Sequence, residues 1–95
     1  MASKIGLLEI EIYIEYSHSL KDKRQVVKSI LNKTHNQFNV AAAETGFLDV
    51  WQRSTLSFVM VSNDNVQVEK QANNVARFLA KDGRFEMREQ HFELI

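Results

Sequence analysis

Four basic side chains near the start of the chain have the types and spacing needed to contact phosphate groups. They are Lys21, Lys23, Arg24 and Lys28. At 100° per residue, Lys21, Arg24 and Lys28 lie within about 60° of one another on a helix, roughly one turn apart along its axis. Each phosphate that such a side chain neutralises releases a counterion. The spacing therefore predicts a nucleic-acid contact. The alternative is that these cations only keep an amphipathic helix solvated.

A second group of candidate residues centres on Trp51-Gln52-Arg53. In a strand that continues through this segment, Trp51 and Arg53 lie on the face opposite Leu56. A tryptophan and an arginine able to make paired hydrogen bonds are typical of the centre of a protein interface. The predicted interface residues are Tyr13, Trp51, Arg53 and Val59, on an open sheet face that would favour self-association. The alternative is that Trp51 caps the end of the core and Arg53 holds a nearby carboxylate.

Acidic residues of the first strand bear on both hypotheses. Glu9, Glu11 and Glu15 alternate with apolar residues and are expected on the open face. Arg53 could pair there with Glu9 or Glu11 on the neighbouring strand. Many RNA-binding sheets stack bases on aromatic side chains of their open face. Carboxylates at those positions would repel a phosphodiester chain, so we expect any RNA to bind elsewhere.

Other catalytic or metal chemistry has little support in the sequence. The three histidines, His18, His35 and His91, are far apart, and there is no cysteine, so we expect no metal site and no cofactor. Glu44 and Asp49 flank Gly46 and could form an acid–base pair. Two loop carboxylates are more often only solvated, and no Ser/His/Asp arrangement or glycine-rich phosphate loop accompanies them. We therefore predict no catalytic residues and no enzyme.

Composition indicates a small globular protein with an uneven charge distribution. The chain has 95 residues, taken as a single domain over 1–95, and its 12 basic and 12 acidic side chains cancel. Residues 19–38 hold five basic side chains against one acidic, a local charge of +4. The absence of cysteine fits a reducing compartment, and the apolar run Ile5–Leu8 is interrupted by Glu9 too early for a signal peptide or membrane span. We expect a cytoplasmic protein with no membrane contact.

Hydrophobic periodicity predicts the elements that must position these residues. Residues 5–16 alternate between apolar and polar, which is typical of a strand with one buried face. Residues 19–38 repeat apolar positions at helical spacing and begin with Ser19 and Asp22, a capping-box-like pair. The complete prediction has strands near 5–16, 38–44, 53–62 and 84–94, and helices near 19–37 and 64–81. Gly46 is expected to supply a positive φ, and a bulge near Arg88–Gln90 is expected to reconcile the two halves of the last strand.

The predicted order is βαββαβ, which with right-handed crossovers gives a ferredoxin-like α+β fold. Its four-stranded antiparallel sheet has the spatial order 4-1-3-2, with both helices on one face. The expected core residues are Leu8, Ile10, Ile12, Leu20, Val27, Ile30, Leu31, Leu56, Phe58, Val75 and Leu79.

Three sequence strings carry a family resemblance: SLKDKRQVVKSIL, FNVAAAE and DVWQRSTLSFVMVSND. Together they resemble the YlxP-like family of small bacterial proteins of uncharacterised function, from about Leu7 to about Phe78. The pairing of S-L-K-D-K-R with W-Q-R is specific to that resemblance. It implies a ferredoxin-like fold and a bacterial cytosolic protein. Because family members are often encoded near ribosome-binding factor A and a translation initiation factor, it also implies a connection with ribosomes or RNA.

Two functional hypotheses follow. The first is a non-enzymatic accessory protein that binds RNA or a ribosomal particle through the basic face of the first helix. The second is a homo-oligomeric interaction module that uses its open sheet face and binds no nucleic acid.

Overall fold

The alternating residues at the start of the chain form the central strand of the sheet. In β1, Lys4–Tyr13, the side chains of Leu8, Ile10 and Ile12 are buried, while their neighbours lie on the opposite face. This strand pairs along its whole length with the third strand and along its other edge with the last one. Both edges of β1 are thus hydrogen-bonded to neighbouring strands. Its apolar face is removed from water only if a second layer of structure covers it.

The computed structural model describes residues 2–95. After β1 its elements are α1 Leu20–Gln37, β2 Ala41–Gly46, β3 Arg53–Ser62, α2 Asn65–Ala80 and β4 Glu86–Leu94. The sheet order is β2-β3-β1-β4, and every neighbouring pair is antiparallel. This order is the predicted 4-1-3-2 counted from the opposite edge. The ferredoxin-like α+β fold is therefore confirmed.

The core lies between the sheet and the two helices. The second helix, α2, buries four residues at three- and four-residue steps, Val68, Ala72, Val75 and Leu79. It approaches β1 closely at Gly6, where an added Cβ would collide with the side chain of Val68 and lie 2.9 Å from the ring of Phe92. The helix begins as expected, because the Asp64 side chain accepts a hydrogen bond from the Val66 N–H at 3.0 Å.

Two predicted strand boundaries were wrong by a few residues. Phe38 caps α1 and does not open β2, because its N–H donates to the Thr34 carbonyl at 2.8 Å. Its ring packs edge-on against Phe78, with centroids 5.4 Å apart. The apolar side chain of Phe38 therefore packs between the two helices and does not belong to a strand. The strand β2 begins only at Ala41. The second wrong boundary is the end of β1. This strand was predicted to run to residue 16 but stops at Tyr13, although the Ile14 N–H still donates to the Gln52 carbonyl at 2.8 Å.

The predicted core is largely confirmed, with two corrections on α1. Leu20 and Leu31 are only half-buried. Leu31 lies on the flank of the apolar stripe and Leu20 is the first residue of the helix, whereas the centre of the stripe is formed by Val27 and Ile30, both almost inaccessible to solvent. The other predicted core residues are buried.

The bulge predicted near Arg88–Gln90 is confirmed. Ile10 pairs with Gln90 and Ile12 pairs with Met87, so β4 places two residues opposite Glu11 of β1. After the extra residue, the side chains of β4 that would have pointed to one face of the sheet point to the other. Met87 before the bulge and Phe92 after it can therefore both pack against the core.

Candidate nucleic-acid interface

Capping at its first turn determines where α1 begins. The Ser19 Oγ accepts a hydrogen bond from the Asp22 N–H at 3.0 Å, and the Asp22 carboxylate accepts one from the His18 N–H at 3.0 Å. The first bond satisfies a backbone donor that the helix leaves free, and the second ties the residue before the N-cap to the first turn. Burial of Val27 and Ile30 against the sheet then sets the rotation of the helix about its axis.

Three of the four predicted phosphate contacts lie on the exposed side of α1. Lys21, Arg24 and Lys28 are all exposed. Within residues 2–95, none of the three has a carboxylate within 4.0 Å. Their charges are therefore not neutralised by an ion pair inside the described chain. Side chains in this state can approach a polyanion without first breaking an internal contact.

Lys23 is the exception, because its side chain is fully buried. The ammonium Nζ donates to the backbone carbonyls of Phe47 at 2.7 Å, Leu48 at 3.1 Å and Arg53 at 3.3 Å. It also lies 3.0 Å from Oε2 of Glu44. The prediction that Lys23 contacts phosphate was therefore wrong.

The helical spacing of Lys23 explains its burial. It precedes Val27 by one turn and Ile30 by two, so it lies on the apolar stripe and not beside it. Lysine is almost never fully buried unless its charge is paired. The charge of the lysine thus suggested a solvent-exposed position. Its helical spacing from Val27 and Ile30 indicated a buried one.

The buried ammonium joins four parts of the chain. Lys23 comes from α1, Glu44 from β2, the Phe47 and Leu48 carbonyls from the β2–β3 loop, and the Arg53 carbonyl from the start of β3. Ser54, also buried, donates to Oε2 of Glu44 at 2.7 Å. Because breaking a buried ion pair leaves a charge without a partner, such a cluster holds its members in a single arrangement.

The β2–β3 loop, residues 47–52, takes its shape around this cluster. The Phe47 carbonyl accepts both from Lys23 and from the Val50 N–H at 3.0 Å. Phe47 has a φ of 57°, the left-handed conformation that was expected for Gly46. Gly46 instead ends β2, where an added Cβ would lie 2.7 Å from Oγ1 of Thr55. The glycine is needed for close strand contact and not for its φ angle, so that expectation was wrong.

This loop exposes more apolar surface than a connection between strands normally does. Four of its residues are large, apolar and solvent-exposed: Phe47, Leu48, Val50 and Trp51. Sequence analysis singled out only Trp51. The signal for the others was the run F-L-D-V-W at a position where polar turn residues are usual.

Arg53 makes the ion pair that was predicted for the open face. Its Nη2 donates to both carboxylate oxygens of Glu11, at 3.1 and 3.0 Å. The guanidinium also lies 3.9 Å from the centroid of the Phe47 ring, a cation–π distance. Trp51 precedes β3, and 51% of its surface is exposed, so it does not cap the core.

The four predicted interface residues do not form one continuous patch. Tyr13 pairs directly with Arg53, but Val59 pairs with Leu7. Val59 is the sixth residue after Arg53 in β3, which is about 20 Å along the strand. Val59 belongs instead to an apolar area at the far end of the open face, formed by Ile5, Leu7, Val59 and Val61.

The middle of the open face is acidic, as expected. It borders a cavity of about 490 Å³ lined by Glu9, Glu11, Thr55, Glu89, Gln90 and His91. The helices cover the other face of the sheet. The exposed cations of α1 and the carboxylates of the open face therefore lie on opposite sides of the molecule, although the net charge is zero.

The residues considered for metal binding and acid–base catalysis do not lie together in one site. His18, His35 and His91 are exposed. Across residues 2–95, no group of three or more His, Cys, Asp or Glu side chains is arranged to hold a metal ion. The Glu44 carboxylate is engaged with Lys23 and Ser54, whereas Asp49 is exposed in the loop.

A known sequence family matches this chain from residue 5 to residue 92, and its description is "Protein of unknown function (DUF503)". The chain belongs to the DUF503 family. Lys23, Glu44 and the whole β2–β3 loop lie inside the matched range.

Two individual proteins are similar to this DUF503 member, one in sequence and one in fold. The "Uncharacterized protein YlxP" of Bacillus subtilis (strain 168) is 43% identical over 75 residues, which cover 79% of this chain and 82% of that protein. The predicted resemblance to YlxP-like proteins is thus confirmed. Among solved structures, the "De novo designed protein Foldit4" matches with a TM-score of 0.53 and 16% identity, covering 96% of each chain. At that identity the likeness concerns the fold alone.

Neither helix of this DUF503 member, within residues 2–95, combines the length and the apolar character needed to cross a membrane.

Proposed function

We propose that this protein is a non-enzymatic, cytoplasmic accessory protein that binds RNA or a ribosomal particle through the exposed face of α1. The observation that carries the proposal is the trio Lys21, Arg24 and Lys28, exposed and without an ion-pair partner among the described residues. Three cations one turn apart match a strand whose phosphates follow one another at similar steps.

The distribution of charge supports the same side of the molecule. Glu9 and Glu89 line the cavity on the open face and, unlike Glu11, have no ion-pair partner among the described residues, so a polyanion approaching from that direction is repelled. The basic helix face is on the opposite side and attracts it. The absence of cysteine supports a reducing, cytoplasmic location. The resemblance to YlxP-like proteins, which implies a ribosomal or RNA context, supports the choice of partner.

The test is sedimentation of cell lysate through a gradient, with the distribution of the protein followed by immunoblotting. Wild-type protein is expected in the ribosomal fractions, and the triple variant Lys21→Glu, Arg24→Glu and Lys28→Glu is expected to remain at the top. The matched control reverses three exposed cations of α2 and its C-cap, Lys70, Arg77 and Lys81, giving the same change in net charge. Control protein should still enter the ribosomal fractions.

Two results would contradict the proposal. One is wild-type protein that never enters the ribosomal fractions. The other is an equal loss of association in the α1 and α2 variants, which would mean that total charge decides and that the face of α1 is not a specific contact.

A second candidate function is a homo-oligomer formed through the open sheet face. It is favoured by the apolar area of Ile5, Leu7, Val59 and Val61, in which Val61 is 52% exposed. Exposed apolar areas of this kind commonly mark contacts between proteins. Light scattering should then give a mass above the 11.0 kDa of one chain, and Val59→Glu should lower it. A monomer at high micromolar concentration would remove this candidate.

A further inference from the structure

The two outer edges of the sheet differ in how well they are protected. The edge formed by β4 carries five titratable residues in nine and is bent by the bulge opposite Glu11. Charges and bulges of this kind keep an edge strand from pairing with another chain. The edge formed by β2 has three alanines and one titratable residue, Glu44, whose carboxylate is bound on the helix side by Lys23. Among residues 2–95 no strand pairs with the outer edge of β2, which is therefore open to an added strand.

The first helix lies along β2, and one of its flanks faces this outer edge. α1 packs on β2, whereas α2 packs on the other three strands, and Lys33 of α1 lines a cavity together with Leu79 of α2. Around the helix axis, Lys33 lies about 80° to one side of Lys23, the residue that points into the core. Leu31 and Arg24 lie about 80° and 100° to its other side. They therefore face away from α2, toward the outer edge of β2.

This flank and the strand also match in length. The contact between Lys23 and Glu44 at 3.0 Å aligns the first turns of α1 with the later part of β2, so the strand runs back along the helix. From Arg24 to Leu31 the helix rises about 10 Å. Residues 41–44, the part of β2 that pairs with β3 without a register shift, extend over about the same distance. The flank from Arg24 to Leu31 thus runs beside the whole regular part of β2.

The charge of the flank favours an acidic occupant of the edge. Arg24 and Lys28 are exposed, and within the described chain neither has a carboxylate within 4.0 Å. A second copy paired antiparallel through β2 would bring Lys28 of the two copies toward each other, and like charges repel. A strand with carboxylates on the side facing α1 would instead be attracted. Leu31, half-buried on the same flank, offers it an apolar contact.

We propose that the outer edge of β2 binds an extended acidic segment of a partner protein, which adds to the sheet as a further strand. Its backbone pairs with residues 41–44, and carboxylates on its helix side contact Arg24 and Lys28. In complexes of this kind main-chain hydrogen bonds give affinity, and side-chain contacts give specificity. The inference does not rest on the proposed RNA-binding function, although RNA and the acidic strand would compete for the same two cations.

The probe is a fluorescein-labelled octapeptide of alternating valine and glutamate, in which all carboxylates lie on one side of an extended strand. Its anisotropy is measured at low salt while the purified protein is added. Saturable binding is expected. The same peptide with lysine in place of glutamate should bind about ten-fold more weakly, because attraction to the α1 flank is replaced by repulsion.

Methylation of peptide nitrogens tests whether the backbone takes part. Successive N–H groups of a strand point to opposite edges, so only every second one can face β2. One version of the glutamate peptide is methylated at all valine nitrogens and the other at all glutamate nitrogens. One of the two should lose binding, because its inward donors are gone, while the other should retain most of it. Attraction by charge alone would not distinguish them.

Charge reversal locates the site on the protein. Arg24→Glu with Lys28→Glu should weaken binding of the glutamate peptide about ten-fold, as for the loss of two exposed ion pairs. The same variant should bind the lysine peptide more tightly than wild type does, which also shows that it is folded. The matched control reverses two exposed cations of α2, Lys70 and Arg77, and should leave the affinity within about two-fold of wild type.

Several outcomes would overturn this proposal. They are a glutamate peptide that does not bind, two methylated peptides that bind equally well, and an equal loss in the α1 and α2 variants. A mass of two chains in light scattering, unchanged by Val59→Glu and by added peptide, would mean that a second copy occupies the edge. If the peptide binds as expected but the protein never enters ribosomal fractions, this inference stands and the RNA function falls. The reverse result would retain the RNA function alone.

Discussion

The Nζ atom of Lys23 lies 3.0 Å from Oε2 of Glu44, and the lysine of this pair is completely removed from solvent. One residue comes from the first helix and the other from the edge strand β2. Three backbone carbonyls complete the surroundings of the ammonium, and the Ser54 hydroxyl completes those of the carboxylate. The pair thus fixes the loop that displays Trp51.

Lys23→Met should destabilise the protein by about 3–5 kcal/mol, because the methionine fills the space but leaves the Glu44 carboxylate without its countercharge and removes the ammonium from three carbonyls. Glu44→Gln added to this variant should restore part of the loss, since it removes the unpaired charge. Urea denaturation of the two single variants and the double variant measures the coupling. A loss below about 1 kcal/mol for Lys23→Met would show that the buried pair does not hold the loop.

Ile12→Ala should cost about 2–5 kcal/mol, because Ile12 is fully buried in the central strand and truncation leaves a cavity. Leu31→Ala should cost less than Ile12→Ala, since Leu31 is half-buried on the flank of α1. Denaturant titrations of both variants under the same conditions test the order. Equal costs would mean that the boundary of the core is misplaced.

Gly6→Ala should destabilise the protein by about 1–3 kcal/mol through overpacking, because an added Cβ collides with Val68 and approaches the Phe92 ring at 2.9 Å. Val68→Ala removes the first of these obstacles. The double variant should therefore be more stable than the sum of the two single losses predicts. Strict additivity in thermal denaturation would contradict close packing of α2 on β1 at this position.

Asp82→Asn should destabilise the protein modestly at neutral pH and much less in acid. The side-chain hydrogen bonds from Arg84 lower the pKa of Asp82 below its usual 3.8, against an opposing effect of burial. A carboxyl group whose pKa is lowered by folding stabilises the folded state above its unfolded pKa, and this stabilisation is lost as the pH falls through the folded value.

We expect the Asp82→Asn difference to be about 0.5–1 kcal/mol at pH 7, because the Arg84 side chain is partly exposed and the pair is screened. Urea titrations at neutral pH and below the usual aspartate pKa measure it. A difference that stays constant across this range would show that the ion pair is not its source.

RNA binding through α1 should depend on salt with a slope of log K against log salt of about −2 to −3, as three phosphate contacts require. The triple reversal of Lys21, Arg24 and Lys28 should change the melting temperature by no more than a few degrees, because these side chains are exposed. Anisotropy titrations at several salt concentrations and a thermal melt provide both values. A slope near zero would exclude phosphate contacts as the source of affinity.

Several features of the fold and candidate site followed from local patterns. Alternation in residues 5–16 predicted β1, and Ser19 with Asp22 predicted the first turn of α1. The same helical geometry predicted that Lys21, Arg24 and Lys28 share a side, and all three are exposed. The conflict of phase within the last strand predicted a bulge that the pairing of β4 confirms.

Other features depended on contacts between distant parts of the chain. Phe38 was assigned to a strand because its apolar character does not say which partner it packs against, and that partner, Phe78, lies on the other helix. Gly46 was assigned a positive φ because the approach of Thr55 on the neighbouring strand cannot be read from the glycine itself.

The sequence by itself determined the order of the elements, the topology of the sheet and the face of α1 that carries three exposed cations. These properties arise from periodicity and capping, which act over a few neighbouring residues. Only the tertiary structure decided that Lys23 is buried and that the Trp51 loop is fixed beside the helix. The acceptors that make burial of the ammonium tolerable lie 24, 25 and 30 residues away along the chain, and only folding brings those carbonyls to the same atom.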